Sequence, residues 1–462
     1  MSVPATDALA AHAAGVERLL ASYRVIPPKA TVRLAKPTSN LFRTRAKSDA
    51  PGLDVSGLTG VISVDPHART ADVAGMCTYE DLVAATLPYG LSPLVVPQLK
   101  TITLGGAVTG LGIESASFRN GLPHESVLEL DILTGTGEVI TASADQHPDL
   151  FRSFPNSYGT LGYSVRLRIE LEPVRPFVAV KHVRFHSLTE LISAMDRIVE
   201  TGGYEGVRID YLDGVVFSAD ESYLCLGVQT ATPGPVSDYT GKDIYYRSIQ
   251  HSTGEKDDRL TIHDYLWRWD TDWFWCSRAF GAQNPTIRRF WPRRLRRSSF
   301  YWKLIGYDQR FDIADRIEKR HGRPPRERVV QDVELPIERT AEFLQWFLDE
   351  VPIEPIWLCP LKLRDRQGAG AWPLYPIRAG HTYVNVGFWS SVPVGPEEGY
   401  TNRLIERKVS DLDGHKSLYS DAYYSHEEFD ELYGGETYKT VKKAYDPDSR
   451  LLDLYSKAVQ RR

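Results

Sequence analysis

A glycine-dense stretch at residues 97–121 (PQLKTITLGGAVTGLGIESASFRNG) constrains this chain more than any other feature. Five glycines fall within it, with two serines among them: Gly105, Gly106, Gly110, Gly112, Gly121, Ser115 and Ser117. A backbone uses such spacing where it approaches a ligand closely or where φ turns positive, and bare backbone amides bind phosphate. A strand–turn–strand without a ligand would account for one glycine pair, but five glycines in 25 residues favour a phosphate-bearing cofactor.

Length, charge and cysteine spacing limit the classes of protein to which this chain can belong. A chain of 462 residues exceeds what one hydrophobic core supports, so two or three domains are expected. The net charge of −5 argues against nucleic acid as a partner. The four cysteines lie far apart and form no CxxC pair, which predicts buried thiols in a reducing compartment rather than a zinc or other metal site or a disulfide framework.

The first residues predict an amphipathic helix that ends before Pro27. Asp7 and Glu17 interrupt the apolar positions, which argues against a secretory signal. The sequence contains no run of 18 apolar residues, so no membrane span is predicted. We expect a cytoplasmic protein, or one peripheral to the inner face of the membrane.

The order of elements predicts an α+β fold. Residues 30 to about 175 alternate short β-rich runs with turn signals, including runs at 60–75, 94–97 and 127–143. Residues 176 to about 430 alternate strands with helices, which predicts an antiparallel sheet with helices on one face. The remaining residues, to 460, are mostly helical in pattern and are expected to pack back onto another domain.

The glycine stretch is not a dinucleotide fingerprint, because Ser115 stands where GxGxxG needs its third glycine. The motifs GxxxxGK[ST], HExxH and GxSxG are also absent from the sequence. Nucleotide hydrolysis, zinc proteolysis and α/β-hydrolase chemistry therefore lose support.

Two segments, PQLKTITLGGAVTGLGIESAS and NSYGTLGYSVRLRIEL, resemble the FAD-binding domain of the vanillyl-alcohol oxidase/p-cresol methylhydroxylase superfamily. The blocks VVQDVELPI, EPIWLCPLKLRD and SDAYYSHEEF are similar to the Δ24-sterol reductase group, and the similarity runs from about residue 50 onward. The resemblance implies a two-subdomain FAD-binding domain, a cap domain whose antiparallel sheet is covered by helices, and a helical return. Their expected ranges are 1–175 (with an N-terminal helix in 1–28), 176–425 and 426–462.

The resemblance also implies which residues contact the cofactor. They are Pro97, Gln98, Leu99, Thr103, Gly105, Gly106, Thr109, Gly110, Gly112 and Ser115 in one loop, and Gly159, Thr160, Gly162 and Val165 in a second. Plain strand packing is the alternative, above all for Leu99 and Val165. Many superfamily members tether FAD through a histidine, but residues 33–45 contain none. Non-covalent FAD is therefore expected, with residues 36–43 as a phosphate cradle.

Five polar residues are candidates for catalysis: Glu114, Gln331, Lys362, Asp421 and Tyr423. The resemblance places Gln331 and Lys362 where related flavoenzymes have polar residues facing the isoalloxazine. Glu114 is a carboxylate inside the glycine stretch, where burial would raise its pKa and suit it to donate a proton. The alternatives are an exposed polar side chain on a half-buried strand and, for Glu114, a structural hydrogen bond to loop amides.

Residues 265–303 combine six of the ten tryptophans with seven cationic residues beyond position 287. Arginine beside tryptophan suits contact with an anionic membrane surface. Stacking on single-stranded nucleic acid conflicts with the overall charge. The remaining alternative is a pair of cap-domain helices with a basic solvent face.

The resemblance implies an FAD-dependent, NADPH-linked reductase of an unactivated lipid alkene. We expect protonation of the alkene to a tertiary carbocation, followed by hydride from reduced flavin. The lack of an N-terminal membrane segment and the Ala- and Arg-rich composition favour actinobacterial relatives that reduce 10-methylene to 10-methyl fatty acyl groups on phospholipid, supplied by a partner methyltransferase. The alternatives are a Δ24-sterol reductase, a sugar- or alcohol-oxidising flavoenzyme, and a lipid-binding protein that keeps FAD only structurally.

Overall fold

A computed structural model describes residues 5–36, 42–43, 52–273, 275–311, 316, 319–322, 324–364 and 372–462. Its N-terminal unit is built on an antiparallel sheet in the order β3-β4-β8-β6-β7, with β5 paired to β8. The elements of this unit are α1 (Ala5–Arg24), β1 (Leu34–Ala35), β2 (Leu53–Asp54), β3 (Val61–Asp65), β4 (Thr70–Ala74), α2 (Tyr79–Thr86), β5 (Leu91–Pro93), α3 (Leu104–Thr109), α4 (Ser117–Asn120), β6 (Val127–Leu133), β7 (Val139–Ser143), α5 (Pro148–Ser153) and β8 (Tyr163–Pro173).

The second unit is an antiparallel sheet in the order β14-β9-β13-β12-β16-β17-β15-β18. Its strands are β9 (Phe177–Phe185), β12 (Tyr211–Ser218), β13 (Glu221–Thr230), β14 (Glu255–Thr261), β15 (Arg326–Pro336), β16 (Ile356–Leu361), β17 (Tyr383–Pro393) and β18 (His415–Lys416), beside a separate hairpin of β10 (Gly203–Tyr204) and β11 (Val207–Arg208). Its helices are α6 (Leu188–Thr201), α7 (Tyr245–Ile249), α8 (Ile262–Leu266), α9 (Cys276–Ala279), α10 (Pro285–Phe290), α11 (Ser298–Phe311), α12 (Ile337–Glu350) and α13 (Tyr400–Asp411).

The two faces of this larger sheet differ in chemistry. Side chains alternate along a strand, and the apolar set packs under α6 and α12: Leu212, Leu224, Val333, Leu358, Val386 and Phe388. The opposite set faces the N-terminal unit and is rich in polar groups: Asp213, Cys225, Asp332, Glu334, Trp357 and Asn385. Burying this many polar side chains costs free energy unless they are hydrogen-bonded or paired, so this face is a candidate location for a functional site.

Residues 426–462 return to the N-terminal unit as α14 (His426–Leu432), α15 (Gly435–Tyr445) and α16 (Leu454–Ala458). Arg450 donates hydrogen bonds to the carbonyl of Ala30 at 3.0 Å and to the hydroxyl of Tyr23 at 3.0 Å. Lys442 donates to the carbonyl of Thr160 at 2.7 Å. The last described helices therefore complete a wall of the N-terminal unit.

The predicted fold class is confirmed: helices accompany antiparallel sheets in both units. The strand expected at 94–97 is wrong, because the strand there is β5 and ends at Pro93. The sequence analysis did not identify β12 or β14. β14 reads EKDDRLT, a charged edge strand without apolar alternation. In the part of the chain that the structure describes, no helix is both long and apolar enough to cross a bilayer.

Candidate active-site cavity

A cavity of about 780 Å³ lies between the two units. The N-terminal unit supplies most of its wall through the glycine stretch and a second loop near Tyr158. The larger sheet contributes Asp332, Trp357 and Trp389 from its polar face, and Tyr419 follows β18. The C-terminal return closes one side with Leu452, Lys457 and Arg462.

The glycine stretch forms a short helix, α3, that lies flat against the first sheet. Thr103 caps it, because its Oγ1 accepts a hydrogen bond from the Gly106 amide at 3.1 Å. A Cβ added at Gly105 would lie 2.5 Å from the carbonyl oxygen of Gly75. The glycines therefore let this backbone approach the neighbouring strand and remain bare at the cavity.

Substituting Gly105 with alanine is expected to displace the stretch and to lower the content of the flavin that the resemblance implies by on the order of tenfold, because overpacking of this kind costs about 1–3 kcal/mol. The new Cβ would overlap backbone atoms of Gly75, which cannot rotate away. Gly254→Ala is the matched control, because a Cβ there meets nothing within 4 Å. The measurement is the ratio of flavin to protein absorbance after purification. Equal ratios in the two variants would contradict the assignment of the glycine stretch to cofactor binding.

The second loop, residues 156–162, is strained where it meets the cavity. Tyr158 adopts a positive φ of 52°, which bulky residues rarely take, whereas Asn156, with a φ of 60°, belongs to a residue type that tolerates this region. Asn156 ties the loop to the glycine stretch by donating to the Gly110 carbonyl at 2.5 Å, and Lys457 donates to the Tyr158 carbonyl at 2.6 Å. The two loops therefore form one surface.

Positive charge dominates the described lining. The cations are Arg33, Lys36, Arg43, Lys457 and Arg462, and the carboxylate is Asp332. Arg43 is buried, with its guanidinium carbon 5.1 Å from the centroid of the Tyr158 ring. Such a lining suits a ligand with an anionic part.

Aromatic side chains surround the carboxylate. Trp389 donates from Nε1 to the Tyr419 hydroxyl at 2.8 Å, and the rings of Trp357 and Trp389 lie 6.3 Å apart. Phe42 packs against both Tyr419 and Trp302, at 5.9 and 5.8 Å between ring centroids. This part of the cavity is suited to a flat ring system and an apolar ligand.

Asp332 is poised to hold a proton. Asn385 donates to its Oδ1 at 3.0 Å. Burial raises the pKa of Asp332 to about 6, against the opposing hydrogen bonds from Asn385 and Tyr419. Near neutral pH a fraction of these carboxyls is therefore protonated and faces the cavity.

Ten of the predicted cofactor residues line the cavity: Pro97, Gln98, Leu99, Thr103, Gly105, Gly106, Thr109, Gly110, Gly112 and Gly159. Four do not. Ser115 contacts the Tyr265 hydroxyl at 3.1 Å, and the Thr160 hydroxyl donates to the Ser157 carbonyl at 2.8 Å. Gly162 packs on Ile132, and Val165 belongs to the core beneath α1. The expected cradle at 36–43 has Lys36, Phe42 and Arg43 at the cavity, and its other residues lie outside the described ranges.

Gln331 and Lys362 lie on the wrong face of the sheet for the predicted role. The Gln331 side chain donates to Asn402 of α13 at 2.6 Å. Lys362 forms an ion pair with Glu200 of α6 at 2.7 Å. Gln331 and Lys362 lie an even number of residues from Val333 and Leu358, which belong to the apolar face. Their side chains therefore point towards the covering helices and away from the cavity.

Asp421 and Tyr423 are also absent from the described lining. The Asp421 carboxylate lies 3.7 Å from Arg461. The Tyr423 ring lies between Arg403 and Arg461, at 4.8 and 5.2 Å, and lines a separate surface cleft. The structure therefore does not bring these two residues to the candidate site.

Glu114 belongs to a buried ionic triad. Arg268 Nη2 lies 2.8 Å from both Glu114 Oε1 and Asp213 Oδ2. Burial raises the pKa of Glu114, and Arg268 opposes that rise. Because two carboxylates share one guanidinium, the triad favours retention of a proton. Glu114 is, however, not among the described residues that line the cavity.

The sequence analysis missed Asp332, Trp357 and Trp389 as cavity residues and did not identify Arg268 as the centre of a triad. For Asp332 the signal was available, since it alternates with the apolar residues of VVQDVELPI. For Arg268 no local signal existed, because its partners lie 154 and 55 residues away.

Comparisons with known proteins indicate which ligand and which class of protein this chain is similar to. Residues 28–143 match the family model of an FAD binding domain. The Delta(24)-sterol reductase of Rattus norvegicus is 24% identical over 419 residues, which cover 87% of this chain and 76% of that protein. The Arabidopsis thaliana Delta(24)-sterol reductase is 24% identical over 89% of this chain and 77% of that protein. Cytokinin dehydrogenase 2 of Oryza sativa subsp. japonica is 32% identical over 34% of this chain and 28% of that protein.

Proposed function

Because the chain is an FAD-binding oxidoreductase related to the Δ24-sterol reductases, we propose that it reduces an isolated carbon–carbon double bond in a lipid. The proposed substrate is a 10-methylene fatty acyl group on a phospholipid, which becomes a 10-methyl group of the tuberculostearic type. The observation that carries the proposal is Asp332, a carboxyl with a raised pKa set among aromatic side chains at the cavity wall.

The residues of the cavity fit FAD. A diphosphate requires positive charge and bare backbone, and the wall offers five cations beside the glycines of α3. The volume of about 780 Å³ lies within the range of small-molecule sites. The described lining residues include neither histidine nor cysteine, which supports non-covalent binding. Bound and reduced, FAD supplies hydride.

The proposed proton donor is Asp332. An isolated alkene has no carbonyl that could be polarised, so a positioned acid must protonate it. Protonation of a methylene carbon leaves a tertiary carbocation at the branch carbon, and hydride addition there completes the saturated chain. Tyr419 and Asn385 hold the carboxyl in place through hydrogen bonds.

The aromatic wall has two roles in this proposal. Trp357, Trp389 and Phe42 exclude water from the reacting carbons, which protects a carbocation from hydration. The face of an indole ring also stabilises positive charge. Both roles need an apolar substrate, and neither would help a polar sugar.

The proposed electron donor is NADPH, and the proposed source of the methylene group is a partner methyltransferase. A phospholipid carrier is favoured by the cationic surface around α10 and α11, which is complementary to phosphate headgroups. A Δ24-sterol is the second candidate, because it is what the names of the similar reductases specify.

The test is anaerobic single turnover. Holoenzyme is reduced with NADPH, or with dithionite if NADPH fails to bleach the flavin, and is mixed with a 10-methylene acyl phospholipid or a Δ24-sterol. Mass spectrometry then detects the addition of two hydrogen atoms. Reduced enzyme that saturates neither alkene would overturn the proposal. Flavin bleaching by a sugar or an alcohol, without NADPH, would favour the oxidase alternative.

A further inference from the structure

Residues 265–311 divide into a buried half and an exposed half. Four of the tryptophans are core residues with at most 7% exposure: Trp267, Trp269, Trp273 and Trp275. The membrane contact expected for 265–303 can therefore not use them. Exposed apolar side chains begin at Ile287 and continue to Phe311.

The exposed half is strongly cationic in a chain of net charge −5. Residues 285–311 contain eight arginines and lysines against one acidic residue, Asp308. Arg293 and Arg297 are paired, with Asp238 and Glu80. Arg289, Arg294 and Lys303 are exposed, and they have no hydrogen-bond or ion-pair partner among the residues that the structure describes.

Apolar side chains stand beside these cations. Phe290 is 78% exposed and lies one helical turn from Ile287, which is 44% exposed. On α11, Tyr307 and Phe311 are 58% and 46% exposed, and they follow Lys303 at intervals of four residues on one face. Exposed aromatic and aliphatic groups flanked by unpaired cations mark an interaction surface.

This surface is continuous with the cavity. Trp302, next to Lys303 on α11, lines the cavity wall. Trp291 follows Phe290 and packs on Phe300 and Tyr301 at 6.0 and 6.3 Å between ring centroids, which joins α10 to α11. One helix therefore runs from the cavity wall to the exposed aromatic stripe.

We infer that residues 287–311 form a docking surface for an anionic lipid bilayer. Phe290, Ile287 and Tyr307 enter the headgroup boundary, and Arg289, Arg294 and Lys303 meet lipid phosphates. A bilayer fits better than nucleic acid, because the exposed aliphatic side chain of Ile287 can enter a headgroup boundary but cannot stack on bases. The inference does not depend on the reaction proposed above.

Vesicle flotation of the flavin-loaded protein tests the inference. We expect binding to vesicles of phosphatidylglycerol and phosphatidylcholine, with weaker binding to phosphatidylcholine alone and at 0.5 M salt. Each cation at an anionic surface strengthens binding about fivefold, so Arg289→Gln/Arg294→Gln/Lys303→Gln should bind on the order of 100-fold more weakly. Phe290→Ser should bind about tenfold more weakly to both kinds of vesicle.

Matched controls distinguish this surface from net charge. Arg152→Gln/Arg175→Gln/Lys443→Gln removes three exposed cations elsewhere, and Tyr89→Ser removes an aromatic ring that is 52% exposed. Both controls should bind like wild type. Equal losses in test and control variants, no binding of wild type to anionic vesicles, or binding to single-stranded nucleic acid in place of vesicles would each overturn the inference. We expect the surface variants to lose vesicle binding but to keep the wild-type rate of single turnover on detergent-dispersed lipid, which would show that the surface acts in membrane binding and not in the reaction.

Discussion

Replacing Asp332 with asparagine is expected to lower the rate of alkene reduction by a factor of about 10²–10⁴, the usual contribution of a positioned general acid. The amide keeps the shape of the side chain and an acceptor oxygen for its neighbours, but it cannot release a proton. Flavin content should stay unchanged, since the side chain is one of many that line the cavity. The measurement is the rate of flavin reoxidation by substrate under anaerobic single turnover.

The pH dependence of the same rate gives an independent readout. The donor acts in its protonated form, and burial raises the pKa of Asp332 to about 6. The wild-type rate should therefore be greatest below about pH 6 and fall about tenfold per pH unit above it, whereas the residual rate of the variant should lack this fall. Glu334→Gln is the control, because Glu334 lies on the same strand face but is not among the described lining residues. Its rate should keep the wild-type decline. A wild-type rate that is flat between pH 5 and 8 would exclude Asp332 as the acid.

Replacing Arg268 with methionine is expected to reduce the free energy of unfolding by about 3–5 kcal/mol. The guanidinium is fully buried and pairs with Glu114 and Asp213 at 2.8 Å each. Its removal leaves two buried carboxylates without a counter-charge. Among the described residues Glu114 Oε2 and Asp213 Oδ1 have no hydrogen-bond partner, and the indole donors of Trp269 and Trp357 that remain on Asp213 Oδ2 do not replace the lost charge. Chemical denaturation of the flavin-loaded protein, followed by tryptophan fluorescence, measures the loss.

A neutral triad should restore most of that stability. In Glu114→Gln/Asp213→Asn/Arg268→Met no buried charge remains, so the desolvation cost disappears together with the attraction. Arg293→Met is the surface control, since its ion pair with Asp238 is largely exposed and contributes about 0–1 kcal/mol. A triple variant as unstable as Arg268→Met alone would show that the triad acts through packing rather than charge.

The sequence predicted local features well. The β-rich run predicted at 60–75 is interrupted by a turn at Asp65-Pro66, as its turn signals imply, and Asp65 accepts hydrogen bonds there from the amides of His67 and Ala68 at 2.9 Å. The glycine stretch lines the cavity as expected. These features depend on backbone conformation within a few residues, which composition and spacing specify.

The face of the sheet to which each side chain points was predicted less well, because a shift of one position along a strand moves a side chain to the opposite face. In β15 the apolar residues Val329, Val333 and Leu335 mark the helix-covered face, and Gln331 shares their parity. Asp332 has the opposite parity and reaches the cavity. Counting alternation within VVQDVELPI would have selected Asp332 and Glu334 in place of Gln331.

Long-range partners were beyond the reach of the sequence. Glu114 lies 154 residues from Arg268, and no local pattern connects them. The sequence analysis interpreted residues 265–303 as a membrane-contacting segment because arginine stands beside tryptophan there. In the structure Arg268 instead stacks on the Tyr265 ring at 4.1 Å inside the protein.

The C-terminal return has a consequence for how the protein acquires its cofactor. Lys457 and Tyr158 are bonded across 299 residues of sequence, and Leu452 and Lys457 are part of the cavity wall. During synthesis the glycine stretch therefore leaves the ribosome hundreds of residues before the C-terminal segment that completes the cavity wall. We expect cofactor capture to be a post-translational event, and proteolytic removal of residues after 445 to release flavin from a protein whose first sheet remains paired.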